Sequence, residues 1–247
     1  MFRKYQGKLY CFSPPVMLAT LLIEFSFAFY VLWRYKMNTI SRLAFVMLIT
    51  LGTFQLAEYM VCGGLGWTNV EWARVGYGAI ALLPALGIHM VVALAGKKKP
   101  LLVASAYASA AAFIGFYMLA QNSITGQTCY ANYAVFDAQR ASVWPFMAYY
   151  LGWLMTGTIL ASTWGNKMPD RRKALHGMSI GYLVFMLPTA FFNIIDPTTV
   201  KGIPSIMCGF AVLLAFVIVL RVLPSSVAVR NSIQNIRNTL RLQPKAD

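Results

Sequence analysis

The chain has 247 residues, of which 59% are hydrophobic and only 11% are charged. Soluble domains carry roughly 25% charged residues, so this composition excludes an ordinary soluble protein. The net charge of +14 is compatible with nucleic-acid binding, but the basic residues collect in short segments between apolar runs, which favours membrane topology instead.

Seven apolar runs follow one another along the chain, each close to the roughly 20 residues that a membrane-spanning helix needs. None shows the in-out alternation of a membrane β-strand. We therefore predict an all-α polytopic membrane protein, a bundle of seven transmembrane helices. Only the connection 121–142 is long enough to hold local structure. The predicted helices span residues 15–33, 43–61, 75–95, 101–120, 143–164, 174–195 and 203–223.

The basic residues predict the orientation of this bundle. Most of the 21 lysines and arginines follow predicted helices 1, 3, 5 and 7. Because such residues favour cytoplasmic loops, we expect the N-terminus outside and the C-terminus in the cytoplasm, in a multi-pass protein of the plasma membrane. The predicted domains are an external tail (1–14), the transmembrane domain (15–223) and a basic amphipathic cytoplasmic tail (224–247). The tail pattern favours binding to the anionic inner leaflet, with docking to a partner helix as the alternative.

Predicted helix 4 is unusually rich in small residues, with alanine, serine or glycine at most positions between 104 and 115. Small residues let helix backbones approach closely in lipid. We expect this helix to be buried in the bundle, with a dimer interface as the alternative. Pro84 and Pro188 fall in the middle of their helices and predict kinks there.

The chain contains four cysteines, Cys11, Cys62, Cys129 and Cys208. In the predicted orientation all four lie on or near the outer side, which is oxidising in most cells. A disulfide between Cys62 and Cys129 would join the loop after helix 2 to the loop after helix 4. Four cysteines permit three complete pairings, and free thiols remain the alternative.

A set of polar residues falls within the apolar runs, on the outer side of the predicted bundle: Glu24, Gln55, Glu58, Tyr77 and Asn193. A carboxylate in hydrocarbon is costly and marks a candidate functional site. We predict that these residues line one ligand-binding cavity that opens outward between helices 1, 2, 3 and 6 or 7. The alternative is structural: Glu58 reaches the interface and Glu24 bonds to a neighbouring helix.

The sequence shows no catalytic motif, so we predict that the protein is not an enzyme and has neither a cofactor nor a metal site. Predicted helix 7 has no lysine to form a Schiff base with retinal, and no histidine to bind a catalytic zinc. His176 and Ser179 lack a third residue that would complete a serine hydrolase triad.

Several short motifs resemble those of one known family. The segments GWTNVEWARVGY (66–77) and LLPALGIHM (82–90) resemble the seven-helix N-terminal sensor region of bacterial membrane histidine kinases. Residues 55–58 and 202–205 fit the same pattern, and the opening at 11–14 is similar to that of a group of small uncharacterised bacterial membrane proteins. The resemblance implies a sensory module. No kinase domain fits after helix 7, so the output requires a separate partner.

The first functional hypothesis is therefore a standalone seven-helix sensor or receptor-like protein. It would bind a small polar or cationic ligand, or a lipid, from the outer side and signal through a separate partner. The alternatives are a small transporter or permease, and an accessory or scaffold subunit of a membrane complex. The expected partners are membrane lipids and a signalling protein, and no nucleic acid.

Overall fold

The computed structural model describes residues 14–62, 65, 70–130 and 134–227, with backbone alone for residues 14, 200 and 201. Nearly all of the predicted N-terminal tail and of the predicted amphipathic tail lies outside these residues. The described chain is all-α apart from one small hairpin. Its seven helices are α1 (Pro14–Arg34), α2 (Thr39–Val61), α3 (Val70–Ala95), α4 (Pro100–Leu119), α5 (Arg140–Lys167), α6 (Arg172–Ile195) and α7 (Ile203–Val217).

Six of these helices are long and apolar enough to cross a membrane. The exception is α5, which has 28 residues but is less apolar because of its serines, threonines and glycines. Several of its hydroxyls bond to the backbone of the same helix: Thr156 donates to the carbonyl of Gly152 and Thr158 to that of Leu154. Such bonds satisfy the hydroxyl within the helix, which lowers the cost of placing it in lipid.

Helix boundaries follow local signals. The Asn38 side chain accepts hydrogen bonds from the backbone amides of Ile40 and Ser41, so α2 begins at Thr39, four residues before the predicted start. At the other end of the chain, α7 continues through a π-helical turn, Ile218–Val222, and the chain remains helical to residue 227.

The bundle is organised around α3, which packs on α2, α4, α5 and α6. The last helix, α7, closes the bundle by packing on α1, α2 and α6. Large apolar side chains cover the outer surface, including Leu22, Phe29, Leu101, Ile194 and Leu220. This surface suits hydrocarbon rather than water, as expected of a polytopic membrane protein.

The prediction that helix 4 is buried in the bundle is wrong. Only Ala106, Ala110 and Tyr117 of α4 are buried, and the helix packs mainly on α3. Small residues permit close approach, but they do not specify how many neighbours a helix has. Most of the remaining alanines and serines of α4 are exposed, whereas Ser109 accepts a 3.0 Å hydrogen bond from Trp153 of α5.

The connection between α4 and α5 folds into an antiparallel hairpin of β1 (Ile124–Cys129) and β2 (Ala134–Ala138), which packs on α3. A disulfide between Cys62 and Cys129 joins the end of α2 to β1. This pairing is one of those that the sequence left open. We call this end of the bundle the hairpin end, and the opposite end, with Lys97–Lys99, the lysine end.

Candidate functional site

Three of the predicted site residues meet in one place. Glu24 comes from α1, whereas Gln55 and Glu58 lie one turn apart on α2 and therefore share a face. All three side chains are buried, with exposed fractions of 0%, 1% and 1%. Glu24 and Glu58 are close enough to interact electrostatically. We call Glu24, Gln55 and Glu58 the carboxylate cluster.

The first turns of α7 provide the other wall of the carboxylate cluster. Gln55 Nε2 donates a 2.9 Å hydrogen bond to the backbone carbonyl of Cys208. The Ser205 side chain hydrogen-bonds to Glu58, and the Cys208 thiol lies within electrostatic range of both carboxyl groups. The cluster therefore sits between α1, α2 and α7.

Ser205 also connects the carboxylate cluster to the hairpin. Its Oγ accepts a 3.0 Å hydrogen bond from the backbone amide of Ala134 in β2. The same hydroxyl can donate its proton to Glu58 while accepting from the amide, because a hydroxyl has both capacities. A displacement of β2 would therefore move Ser205 and change its hydrogen bond to Glu58.

The carboxyl groups are poorly satisfied. Among the residues that the structure describes, neither oxygen of Glu24 has a hydrogen-bond partner, and Oε1 of Glu58 has none either. A buried carboxylate without a partner is strongly disfavoured, so each group must hold a proton or share a counter-ion. The cluster therefore has free acceptor capacity for a proton or a cation.

Tyr77 belongs to a different part of the bundle. Its ring stacks on Tyr117 of α4 with centroids 4.2 Å apart and contacts Phe136 and Phe146 edge-on or tilted. Its hydroxyl lies 3.5 Å from the backbone carbonyl of Phe136. Tyr77 thus anchors the hairpin to α3 through an aromatic cluster.

Asn193 is also occupied elsewhere. Its Nδ2 donates to the carbonyl of Thr189 at 2.8 Å, and its Oδ1 accepts from the Thr199 hydroxyl at 3.0 Å. Together with Asp196, which accepts from the amide of Thr198, it terminates α6 and shapes the following 3₁₀ turn. The structure therefore gives Asn193 a local role in the chain rather than a contact with the carboxylate cluster.

The sequence predicts a cavity that opens outward, but the carboxylate cluster does not open outward in this structure, since all three side chains are shielded from solvent. Below the cluster, toward the lysine end, lies a void of about 10 Å³. Its walls include Met47, Leu51, Leu214 and Cys208. The site is closed, and a ligand must be small or must enter after a local opening.

A much larger cavity, of about 710 Å³, lies at the lysine end. Sequence reasoning missed it, because the lysines were interpreted as topology signals alone. Its lining combines residues from the starts of α2, α4 and α6 with the end of α3. We call it the basic cavity; it is lined by Asn38, Thr39, Ile40, His89, Val92, Ala93, Leu94, Lys97, Lys98, Lys99, Pro100, Val103, Arg171, Ala174 and Ser226.

No protein-family model matches this chain, and comparison with curated proteins also gives no match. Among residues 14–62, 65, 70–130 and 134–227, no group of three or more histidine, cysteine, aspartate or glutamate side chains could hold a metal ion.

Proposed function

We propose that the chain is a seven-helix sensor of the plasma membrane, with its N-terminus outside. In this proposal the carboxylate cluster binds a small monovalent cation in exchange for a proton, and the occupied state is signalled through a separate partner. The resemblance of residues 66–77 and 82–90 to the sensor region of membrane histidine kinases supports the sensory class.

The distribution of charge supports the proposed orientation, with α5 counted as a span. Basic residues occur at 34–42, 97–99 and 171–173, at the ends where α1 and α2, α3 and α4, and α5 and α6 meet. These ends coincide with the lysine end, which we assign to the cytoplasm. The hairpin and its disulfide then lie outside, where disulfides persist.

The orientation predicts the behaviour of two reporter fusions. A reporter after Asp247 should have cytoplasmic activity, and one inserted near Gln127 should have external activity, because positive loops remain on the cytoplasmic side. Paired phosphatase and fluorescent-protein fusions provide the measurement. The reversed pattern would invert the orientation and place the carboxylate cluster near the inner leaflet.

The observation that carries the functional proposal is the pair of buried carboxyl groups, three of whose oxygens have no hydrogen-bond partner within the described part of the chain. Two acidic groups that interact across α1 and α2 in a closed site cannot both remain ionised without a counter-charge. One retained proton leaves a single negative charge, which a monovalent cation neutralises. The Ser205 hydroxyl and the carboxyl oxygens are the hard ligands that such an ion prefers.

The surroundings favour a sensor over a permease. A permease needs a polar path between both faces, whereas the void below the carboxylate cluster is small and lined mostly by apolar side chains. The basic cavity at the other end would repel the cation that the cluster attracts. A single continuous stretch of helix connects the carboxylate cluster with the basic cavity. Its first part, α7, contacts the cluster through Ser205 and Cys208, and Ser226, in the helical continuation beyond the π-helical turn, lines the basic cavity.

The proposal predicts the effect of Glu58→Gln on Na⁺ binding. The change keeps the shape of the side chain but removes the charge, so we expect at least about a tenfold loss of Na⁺ affinity. Unfolding temperature without Na⁺ should stay nearly unchanged. The measurement is thermal unfolding in detergent or nanodiscs over a Na⁺ titration, with choline holding ionic strength constant. In the unmodified protein, affinity should rise about tenfold per pH unit if one proton leaves per ion.

Glu71→Gln is the matched control, because Glu71 is an exposed glutamate at the start of α3, ion-paired with Arg74 at 3.8 Å. It should leave the Na⁺ response intact. The proposed function fails if the unmodified protein shows no Na⁺-specific stabilisation. It also fails if Glu58→Gln changes the unfolding temperature without changing the Na⁺ response, which is the outcome of a purely structural role.

A further inference from the structure

The basic cavity is lined by a concentration of positive charge. Four of its lining residues are cationic: Lys97, Lys98, Lys99 and Arg171. Within the described ranges, no carboxylate forms an ion pair with any of them, and the single ion pair recorded there joins Arg74 to Glu71. Like charges gathered around one cavity repel one another unless an anion enters.

Two of these cations are held in place by contacts on the cavity wall. Arg171 Nη1 donates a 2.9 Å hydrogen bond to the backbone carbonyl of Leu94 at the end of α3. The turn that follows contains Gly96 at φ +61°, where a Cβ would collide with the Arg171 guanidinium. Glycine at 96 therefore allows both the left-handed turn and the close approach of the guanidinium. In the part of the chain that the structure describes, the other guanidinium N–H groups of Arg171 make no hydrogen bond and can donate to a ligand.

The ammonium of Lys97 is held by a ring. Its Nζ lies 4.9 Å from the centroid of the Trp164 ring near the end of α5, which is a cation–π arrangement. Lys98 and Lys99 are exposed to solvent. The cavity thus combines two cations held by contacts on its wall with two that are exposed.

Helix ends add positive potential to the same place. The cavity lining includes the first residues of α2 and α4 and residues 171 and 174 at the start of α6. At α4 the residue preceding the helix makes no side-chain capping hydrogen bond, whereas the first amide of α6, that of Arg172, donates to the carbonyl of Pro169. Free amides at a helix N-terminus carry partial positive charge and favour anions.

We propose that the basic cavity binds a phosphate-bearing anion, presented either by a lipid headgroup or by a soluble molecule. Lysine ammonium and arginine guanidinium groups are the usual partners of phosphate oxygens. The volume of about 710 Å³ falls within the usual range of small-molecule sites, roughly 300–1,000 Å³. The proposal is independent of the cation site, since it rests on residues at the opposite end of the bundle.

The test measures binding of two probes to the purified full chain. Inorganic pyrophosphate represents the soluble source, and nanodiscs of phosphatidylcholine with a small fraction of phosphatidic acid represent the lipid source. Because Lys97 lies against Trp164, binding should change the tryptophan emission, and Trp164→Phe should remove most of that change. The double variant Lys98→Gln/Lys99→Gln should weaken binding of the effective probe at least about tenfold.

The matched control is Lys167→Gln/Lys173→Gln. It removes the same charge from the same end of the bundle, at exposed residues that do not line the cavity. The affinity of this control variant for the effective probe should stay within about twofold of that of the unmodified protein. Binding of either probe with this selectivity supports the proposal and identifies the source. Binding of neither probe, or equal losses in the two double variants, would overturn it.

Discussion

Replacement of Cys62 and Cys129 together by serine is expected to lower the free energy of unfolding by about 2–4 kcal/mol. The disulfide closes a long loop, since the cysteines are 67 positions apart in the sequence, and it joins the end of α2 to β1. Without it the hairpin is held to the helices by non-covalent contacts alone, chiefly those of Phe136 with Tyr77 and Phe54. The hairpin should therefore detach before the helices separate.

Thermal unfolding with and without reductant measures this effect. Reduction should lower the unfolding temperature of the unmodified protein. It should not change that of the double serine variant, so reduction serves as an internal control. Hydrogen exchange should rise first in β1 and β2. An equal unfolding temperature for the double variant and the unmodified protein would show that the helices alone determine the stability.

The same variant tests how the hairpin and the carboxylate cluster are connected. Ser205 bridges the amide of Ala134 in β2 and the carboxyl group of Glu58. A hairpin that is no longer tethered should weaken this bridge and leave Glu58 with one fewer partner. In the sensor proposal, the disulfide therefore maintains the geometry of the cation site as well as the stability of the fold.

The helices could be predicted from the sequence to within a few residues because a run of about 20 apolar residues is a strong signal. The boundaries depended on weaker signals. Asn38 starts α2 early through its side-chain cap, whereas α5 begins at Arg140 without a side-chain cap and contains Pro145. The two strands were not predicted, since the segment 121–142 has neither a long apolar run nor regular alternation.

The grouping of three polar residues could be predicted from the sequence, whereas their role in ligand binding stays a prediction. Residue positions along each predicted helix placed Glu24, Gln55 and Glu58 at a similar depth in the membrane, and the structure places the three side chains together. Depth alone does not determine rotation about a helix axis or the path of a loop. For that reason Tyr77 and Asn193, assigned to the same level, contact other groups.

The basic cavity could have been anticipated from one signal. Three consecutive lysines directly precede Pro100, the first residue of α4, so their charges lie at a helix N-terminus where they reinforce the dipole instead of opposing it. Membrane topology alone requires basic residues on the cytoplasmic side of the bundle, but it does not require them directly before the first residue of a helix. The participation of Arg171 could not be foreseen, because it depends on how α6 packs near the end of α3.

Gly87→Ala is expected to lower the free energy of unfolding by about 1–3 kcal/mol, the usual cost of overpacking a tight core. The reason is the Tyr182 ring of α6, which is buried between Gly87 of α3 and Gly157 of α5. A Cβ at position 87 would collide with the Tyr182 hydroxyl, and one at 157 would lie 3.1 Å from the same ring. Without a hydrophobic driving force between helices in lipid, such close packing carries much of the stability.

Two variants distinguish this packing effect from a general loss of glycine. Gly115→Ala on α4 is the matched control, since a Cβ there meets no other atom within 4 Å, and it should leave the unfolding temperature unchanged or slightly raised. The double variant Gly87→Ala/Tyr182→Phe removes the nearest clashing atom and leaves the ring carbon Cζ at 3.2 Å. Part of the lost stability should therefore return. If Gly87→Ala and Gly115→Ala unfold at the same temperature, α6 does not pack against α3 through this contact.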